Sequence, residues 1–146
     1  MMARHQLSPE AKRQLQEELE ALLRTRREIQ FAVLHGSFLE ATGFRDLDVA
    51  VWIDPALVPR DQAPEYEIEL SIWLERRLSR PIPVDVKILN YSPLGFRYAT
   101  SKGSPLLLRD AEAWYAFREE TWRDYWDFLP FNKAMLADLL SPGHTP

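Results

Sequence analysis

The 146-residue sequence contains no cysteine, which excludes disulfides, zinc–thiolate sites and thiol catalysis. It also has no apolar stretch near the roughly 18 residues that a membrane span needs. Residues 1–6 lack the apolar core of a signal peptide. We therefore expect a cytoplasmic protein that does not bind membranes.

Positive charge is also in short supply, since 18 Lys and Arg residues face 22 Asp and Glu residues, a net charge of −4. An acidic surface repels phosphate backbones, so we expect no stable binding of nucleic acid, whereas a small anionic ligand held by a metal remains compatible. With 46% apolar residues, the length suits one domain over 1–146. Its core is expected at about 8–128, with a flexible tail at 129–146.

The most informative stretch of the chain is 35–54. Gly36-Ser37 ends an apolar run, eight residues follow, and Asp46 and Asp48 then begin a second run of strand-forming residues. Alternate residues of a strand share a face, so the two carboxylates point the same way. Like charges placed together require a positive partner, and a hard divalent cation with oxygen ligands is the obvious candidate.

A third carboxylate, Asp85, comes from the predicted strand 82–89. Neighbouring strands lie about 4.8 Å apart, so Asp85 can join Asp46 and Asp48 if all three face the same side. Three such carboxylates can hold two Mg²⁺ ions and support phosphoryl-type transfer, with Asp85 as a metal ligand and candidate general base. Gly36 and Ser37 can donate hydrogen bonds to phosphate oxygens. The alternative is a sheet edge with solvated aspartates.

The remaining pattern predicts helices and strands that follow one another along the chain, as in an α/β (α+β) fold. Ser8 and Asp110 are expected to cap the first and last helices, and Gly103 to end a short helix in the left-handed conformation. The predicted elements are a helix from Pro9 to the basic run 24–27, strands at 29–34, 46–53, 82–89 and 106–108, and helices from 64 to before 81, within 91–103 and from 110 to about 128.

Three features have two interpretations each. The basic run 24–27 is either a solvated helix end, which the helix dipole favours, or a patch for phosphate or a partner. His35 either fills the end of a strand or acts as a ligand or base. The many aromatic residues of the last helix exceed one core stripe, so they form either the core alone or the core and a partner surface.

The motif residues together resemble the DNA polymerase β-like nucleotidyltransferase superfamily, and the small size is similar to its minimal nucleotidyltransferases (MNT). The C-terminal part is similar to that of MntA-like antitoxins. The stretches that carry the resemblance are Gly36-Ser37-Phe38, Asp46-Leu47-Asp48, Asp85, 102–108 and 125–128.

This resemblance implies a mixed sheet flanked by helices and a MgATP-dependent transfer of AMP. The implied acceptor is a tyrosine hydroxyl of a cognate HEPN-domain toxin, usually a ribonuclease. On the matching positions, the resemblance assigns the nucleoside triphosphate to Gly36 and Ser37, metal ions to Asp46 and Asp48, and a metal and the base role to Asp85.

The sequence departs from the family pattern in the connector between Gly-Ser and the first aspartate. Eight residues lie there instead of the usual ten, Leu39-Glu40 stands where many members have arginine, and Arg45 stands where they have serine. Arg45 is a candidate phosphate contact in compensation. Two alternatives follow: an antitoxin of weak activity that neutralises the toxin by binding alone, or a nucleotidyltransferase acting on a small molecule or an RNA end.

Overall fold

The computed structural model describes residues 5–39 and 43–140, with side chains up to residue 129. These residues form four α-helices and four strands, and a short 3₁₀ turn at Gly36–Leu39 follows the first strand. The elements are α1 (Pro9–Arg24), β1 (Ile29–His35), β2 (Leu47–Ile53), α2 (Ala63–Arg77), β3 (Val84–Ile88), α3 (Leu94–Ser101), β4 (Ser104–Leu108) and α4 (Ala111–Leu140).

The strands form one mixed sheet in the order β3-β2-β1-β4. β1 runs antiparallel to β2 and to β4, whereas β2 and β3 are parallel. The connection between β2 and β3 passes through α2, and parallel strands require a crossover of this kind. The predicted small mixed sheet flanked by helices is confirmed.

Both faces of the sheet are covered by helices. On one face, Leu19 and Leu23 of α1 and Leu70 and Leu74 of α2 pack against the strands. On the other face, Phe31, Val33 and Ala50 pack against Trp114 and Phe117 of α4. The aspartate-bearing face is therefore a second core over much of its area. None of the helices described combines the length and apolar character that a bilayer span requires.

The two predicted helix caps are confirmed. The Ser8 hydroxyl accepts a hydrogen bond of 3.1 Å from the Ala11 amide, and the Asp110 carboxylate accepts one of 3.1 Å from the Ala113 amide. Each capping side chain accepts a hydrogen bond from an amide of the first helical turn, which has no acceptor within its own helix.

The prediction that the last helix ends near Phe128 is wrong, because α4 continues to Leu140. Pro130 removes one amide donor from the helix. The residues after it are mostly strong helix formers such as Ala, Leu, Met and Lys, which favour continuation. Of the predicted flexible tail, residues 141–146 lie outside the described residues.

The left-handed cap predicted at Gly103 is also wrong. Among the described residues, only Gly36 and Gly43 have positive φ, and Lys102 ends α3 in the right-handed conformation. Gly103 has a different reason to be glycine, since a Cβ there would lie 2.7 Å from the Leu34 carbonyl oxygen and 2.7 Å from Val33 Cγ1.

The favoured interpretation of the basic run 24–27, a solvated helix end, does not hold for Arg26. Arg26 has a side chain that is only 17% exposed. Its guanidinium group donates to Glu28 at 2.9 Å and to both carboxylate oxygens of Glu69, at 3.0 and 2.7 Å, and it stacks 4.8 Å from the Trp73 ring centroid. A planar guanidinium can donate two parallel hydrogen bonds to a carboxylate while it stacks on an aromatic ring. Arg26 therefore links the segment after α1 to α2.

We expect Arg26→Ala to lower the free energy of unfolding by about 2 kcal/mol, because Glu28 then loses the cation that compensates its partly buried charge. Arg24 is a matched control, since its pair with Glu20 is exposed on the surface of α1. Arg24→Ala is expected to cost less than about 0.5 kcal/mol. Urea unfolding followed by circular dichroism measures both values, and equal losses would contradict the structural role of Arg26.

Candidate functional site

The carboxylates of β2 and β3 meet at one end of the sheet. Asp48 and Asp85 are the second residues of their strands, and the parallel register places them directly opposite each other. Asp46 lies one residue before β2 and is half-buried. The structure therefore brings together the three aspartates that the sequence singled out.

Asp48 carries the electrostatic cost of this arrangement. Burial raises the pKa of its carboxyl group to about 6, and the negative charges of Asp46 and Asp85 act in the same direction. Ionisation of Asp48 is thus opposed by its burial and by its two acidic neighbours. A cation at this end of the sheet would remove that opposition.

Gly36 packs directly against Asp48 at the start of the 3₁₀ turn. It has a φ of +78°, which side-chain-bearing residues rarely adopt. A Cβ at this position would also lie 2.3 Å from Asp48 Oδ2, closer than any real contact. Backbone conformation and space therefore both require glycine, and the turn backbone reaches the carboxylate without an intervening side chain.

The other two predicted phosphate contacts lie around the same turn. Ser37 is half-buried within the 3₁₀ turn, and Arg45 is exposed in the bend just before Asp46. Arg45 forms no ion pair with any residue that the structure describes. Glu40 falls in the undescribed segment 40–42, so its effect on the site stays a prediction.

A metal could be held by this site through its carboxylate oxygens, which are the donors that Mg²⁺ prefers. Within the described ranges, however, no three His, Cys, Asp or Glu side chains already surround a common point. Lys87 is 3.9 Å from Asp85, and this weak pair leaves both side chains half exposed. The donor set fits a hard cation, and binding it would bring the carboxylates around a common point.

His35 lies opposite Asp48 in the β1–β2 pair. Its ring packs edge-on against Phe96, with 5.4 Å between centroids, and its buried Nε2 has no hydrogen-bond partner among the described residues. Burial lowers the pKa of His35, against a smaller opposing effect of the Asp85 charge. A neutral ring packed on an aromatic side chain agrees with the interpretation that His35 fills the end of the strand.

The sequence analysis missed the side chains of α2 that hold the outer edge of β3, beside Asp85. They are Glu67, Ser71 and Glu75, and each accepts a hydrogen bond from a β3 amide. Their spacing of four residues was a usable signal. It was obscured by apolar residues of α2 that do not face the core, since Ile68 and Ile72 are 62% and 42% exposed.

Known structures share this fold. The antitoxin–toxin pair MntA–HepT contains a chain with a TM-score of 0.64 and 21% identity, covering 88% of this chain and 99% of that one. A toxin–antitoxin structure with AMP-PNP contains a chain that matches with a TM-score of 0.64 and 21% identity, covering 86% of this chain and 98% of that one. The structure of a tri-AMPylated Shewanella oneidensis HEPN toxin in complex with MNT antitoxin contains a chain that matches with a TM-score of 0.63 and 19% identity. The match covers 89% of this chain and 99% of that one.

Comparison with curated proteins gave no significant match. A family model described as polymerase beta, nucleotidyltransferase matches residues 17–112. This range contains β1, the Gly36–Ser37 turn, all three aspartates and the complete sheet. The chain therefore belongs to the polymerase beta nucleotidyltransferase family.

Proposed function

We propose that this protein is an antitoxin that transfers AMP from MgATP to a hydroxyl group, specifically a tyrosine hydroxyl, of a cognate HEPN ribonuclease toxin and thereby neutralises it. Family membership supports nucleotidyl transfer. The similar folds belong to toxin–antitoxin structures, one with AMP-PNP and one with a tri-AMPylated HEPN toxin, and this supports the antitoxin role and the adenylyl group.

The observation that carries the proposal is the register of β2 and β3. It sets Asp48 opposite Asp85, with Asp46 close enough to raise the pKa of Asp48 and with Gly36 in contact with its carboxylate. A sheet edge with solvated aspartates does not account for three carboxylates and a side-chain-free turn at the same end of the sheet. Nucleotidyl transfer requires both, because it joins metal ligands to a phosphate-binding backbone.

In the proposed reaction, the tyrosine oxygen attacks the α-phosphorus of ATP while the bond from that phosphorus to the pyrophosphate oxygen breaks. Asp85 accepts the hydroxyl proton, and the products are tyrosyl-AMP and pyrophosphate. Gly36, Ser37 and Arg45 orient the triphosphate. Asp46, Asp48 and Asp85 would hold two Mg²⁺ ions, which when bound neutralise phosphate charge and favour the ionised hydroxyl.

The exposed aromatic residues of α4 favour a second candidate, an antitoxin that neutralises by binding alone. Trp114 and Phe117 are in the core, whereas Tyr115 and Trp126 are each 60% exposed and Phe128 is 48% exposed. Aromatic residues are enriched at protein interfaces. A protein of this kind would neutralise its partner after loss of Asp46, Asp48 and Asp85 together, but the enzyme would not.

Incubation of the protein with MgCl₂, ATP and the product of the neighbouring gene, as the candidate HEPN toxin, is expected to raise the mass of that product by whole AMP units. Asp46→Asn and Asp48→Asn should each lower the rate at least about 100-fold, because each removes a metal ligand. Intact-mass spectrometry measures the product, and EDTA should abolish it. Modification that persists in both variants would refute the proposed metal site.

Gly36→Ala is expected to lower the AMP-transfer rate at least tenfold and the free energy of unfolding by about 2 kcal/mol, since alanine is strained at this φ and displaces Asp48. Gly95→Ala is the matched control, because a Cβ at Gly95 in α3 meets nothing within 4 Å. It should leave the rate unchanged and stabilise the helix slightly. Equal rates for the two variants would contradict the assigned contact.

Asp48 is expected to make the metal-free fold less stable as pH rises. Its folded-state pKa of about 6 lies above the ordinary 3.8, so the folded protein binds more protons than the unfolded chain between these values. Stability therefore falls across that window and stays lower above it. Asp48→Asn should be more stable than wild type at pH 7.5 by on the order of 1 kcal/mol, a value reduced by solvent screening.

Urea unfolding in EDTA at pH 7.5 and 4.5 measures this difference, which should shrink at the lower pH because wild-type Asp48 is then mostly protonated. Added MgCl₂ at pH 7.5 should stabilise wild type and not the variant, since a ligand stabilises only the state that binds it. A variant less stable than wild type at pH 7.5 would contradict the electrostatic cost assigned to Asp48.

A further inference from the structure

Among the described residues, no strand adjoins the outer edge of β3, yet the amides at this edge are paired. β3 is at the end of the sheet order, so alternate amides point away from β2. The amide of Val84 donates to Glu75 at 2.7 Å, that of Val86 to Ser71 at 3.1 Å, and that of Ile88 to Glu67 at 2.8 Å. We call Glu67, Ser71 and Glu75 the acceptor row.

The acceptor row matches the strand in spacing and runs in the opposite direction. Its members are four residues apart on α2, a rise of about 6 Å, and the amides they pair are two residues apart on β3, about 6.6 Å. Ser71 is itself held in place, because its hydroxyl donates to the Glu67 carbonyl at 2.8 Å and so directs a lone pair towards Val86. One helix face thus takes the place of a fifth strand.

We propose that the acceptor row positions Asp85 for metal binding and proton transfer, an inference that rests on the proposed function. Asp85 lies between Val84 and Val86, whose amides are both held by the row. Its alignment with Asp48 depends on β3, which in the part of the chain that the structure describes has β2 as its single neighbouring strand. Ser71 and Glu75 are therefore positioning residues that act through the β3 backbone.

The location of Ser71 makes the proposal testable without damage to the core. Ser71 lines a surface groove of about 330 Å³ together with Asp85, so loss of its hydroxyl opens no buried cavity. Ser71→Ala and Glu75→Ala remove acceptors of the row, whereas Ser71→Thr and Glu75→Gln retain an oxygen that can accept. Glu65→Ala is the matched control, because Glu65 is exposed in the first turn of α2 and pairs with no β3 amide in the described structure.

Three quantities are measured for each variant: the Mn²⁺ dissociation constant by electron paramagnetic resonance, the kcat for AMP transfer to the HEPN protein, and hydrogen exchange of the β3 amides. We expect Ser71→Ala and Glu75→Ala to weaken Mn²⁺ binding and to lower kcat by about tenfold each, as outer-shell losses do. Exchange of β3 amides should be faster. Ser71→Thr, Glu75→Gln and Glu65→Ala should resemble wild type.

Faster exchange with unchanged Mn²⁺ affinity and unchanged kcat would overturn the proposal, because the row would then stabilise the edge without positioning Asp85. Equal losses in Glu65→Ala, or no recovery in Ser71→Thr, would also overturn it. If wild type binds Mn²⁺ but transfers no AMP, the proposed function fails, and the Mn²⁺ affinities still decide whether the row positions Asp85. If wild type binds no Mn²⁺, both proposals fail.

Discussion

The parallel register of β2 and β3 is the constraint on which the rest of the site depends. It sets Asp48 opposite Asp85, whose charge adds to the effects of burial and of Asp46 in raising the pKa of Asp48. A folding domain gains nothing from like charges at close range. The arrangement is explained by what it can bind, since a bound cation would offset the repulsion and take the carboxylates as its ligands.

Two structural layers support this unfavourable grouping. α1 and α2 cover one face of the sheet with a large apolar cluster, and α4 covers the other with Trp114 and Phe117 against Phe31. Burial of apolar area on both faces stabilises the fold and offsets the destabilising proximity of the aspartates. Asp48 and Asp85 are the second residues of their strands, whereas Trp114 and Phe117 of α4 pack with Phe31, Val33 and Ala50.

The positions of Gly36 and the acceptor row show that backbone groups matter as much as side chains here. Gly36 brings a turn against Asp48 because it has no Cβ, and the row on α2 pairs the free edge of the strand that carries Asp85. Gly36 avoids a steric clash with Asp48, and the acceptor row pairs backbone amides of β3. Each also holds a carboxylate in a defined place relative to its neighbour, which is what a group-transfer site needs.

By itself, the sequence determined the helix caps at Ser8 and Asp110 and the order of strands and helices. These features depend on residues a few positions apart, so local spacing specifies them. Only the tertiary structure decided the pairs of Arg26 with Glu69 and of the Val86 amide with Ser71, which are 43 and 15 residues apart, and the close contacts that require Gly103. Such contacts follow from how α2 and the strands pack, because no local pattern encodes which distant group will meet a given amide or guanidinium.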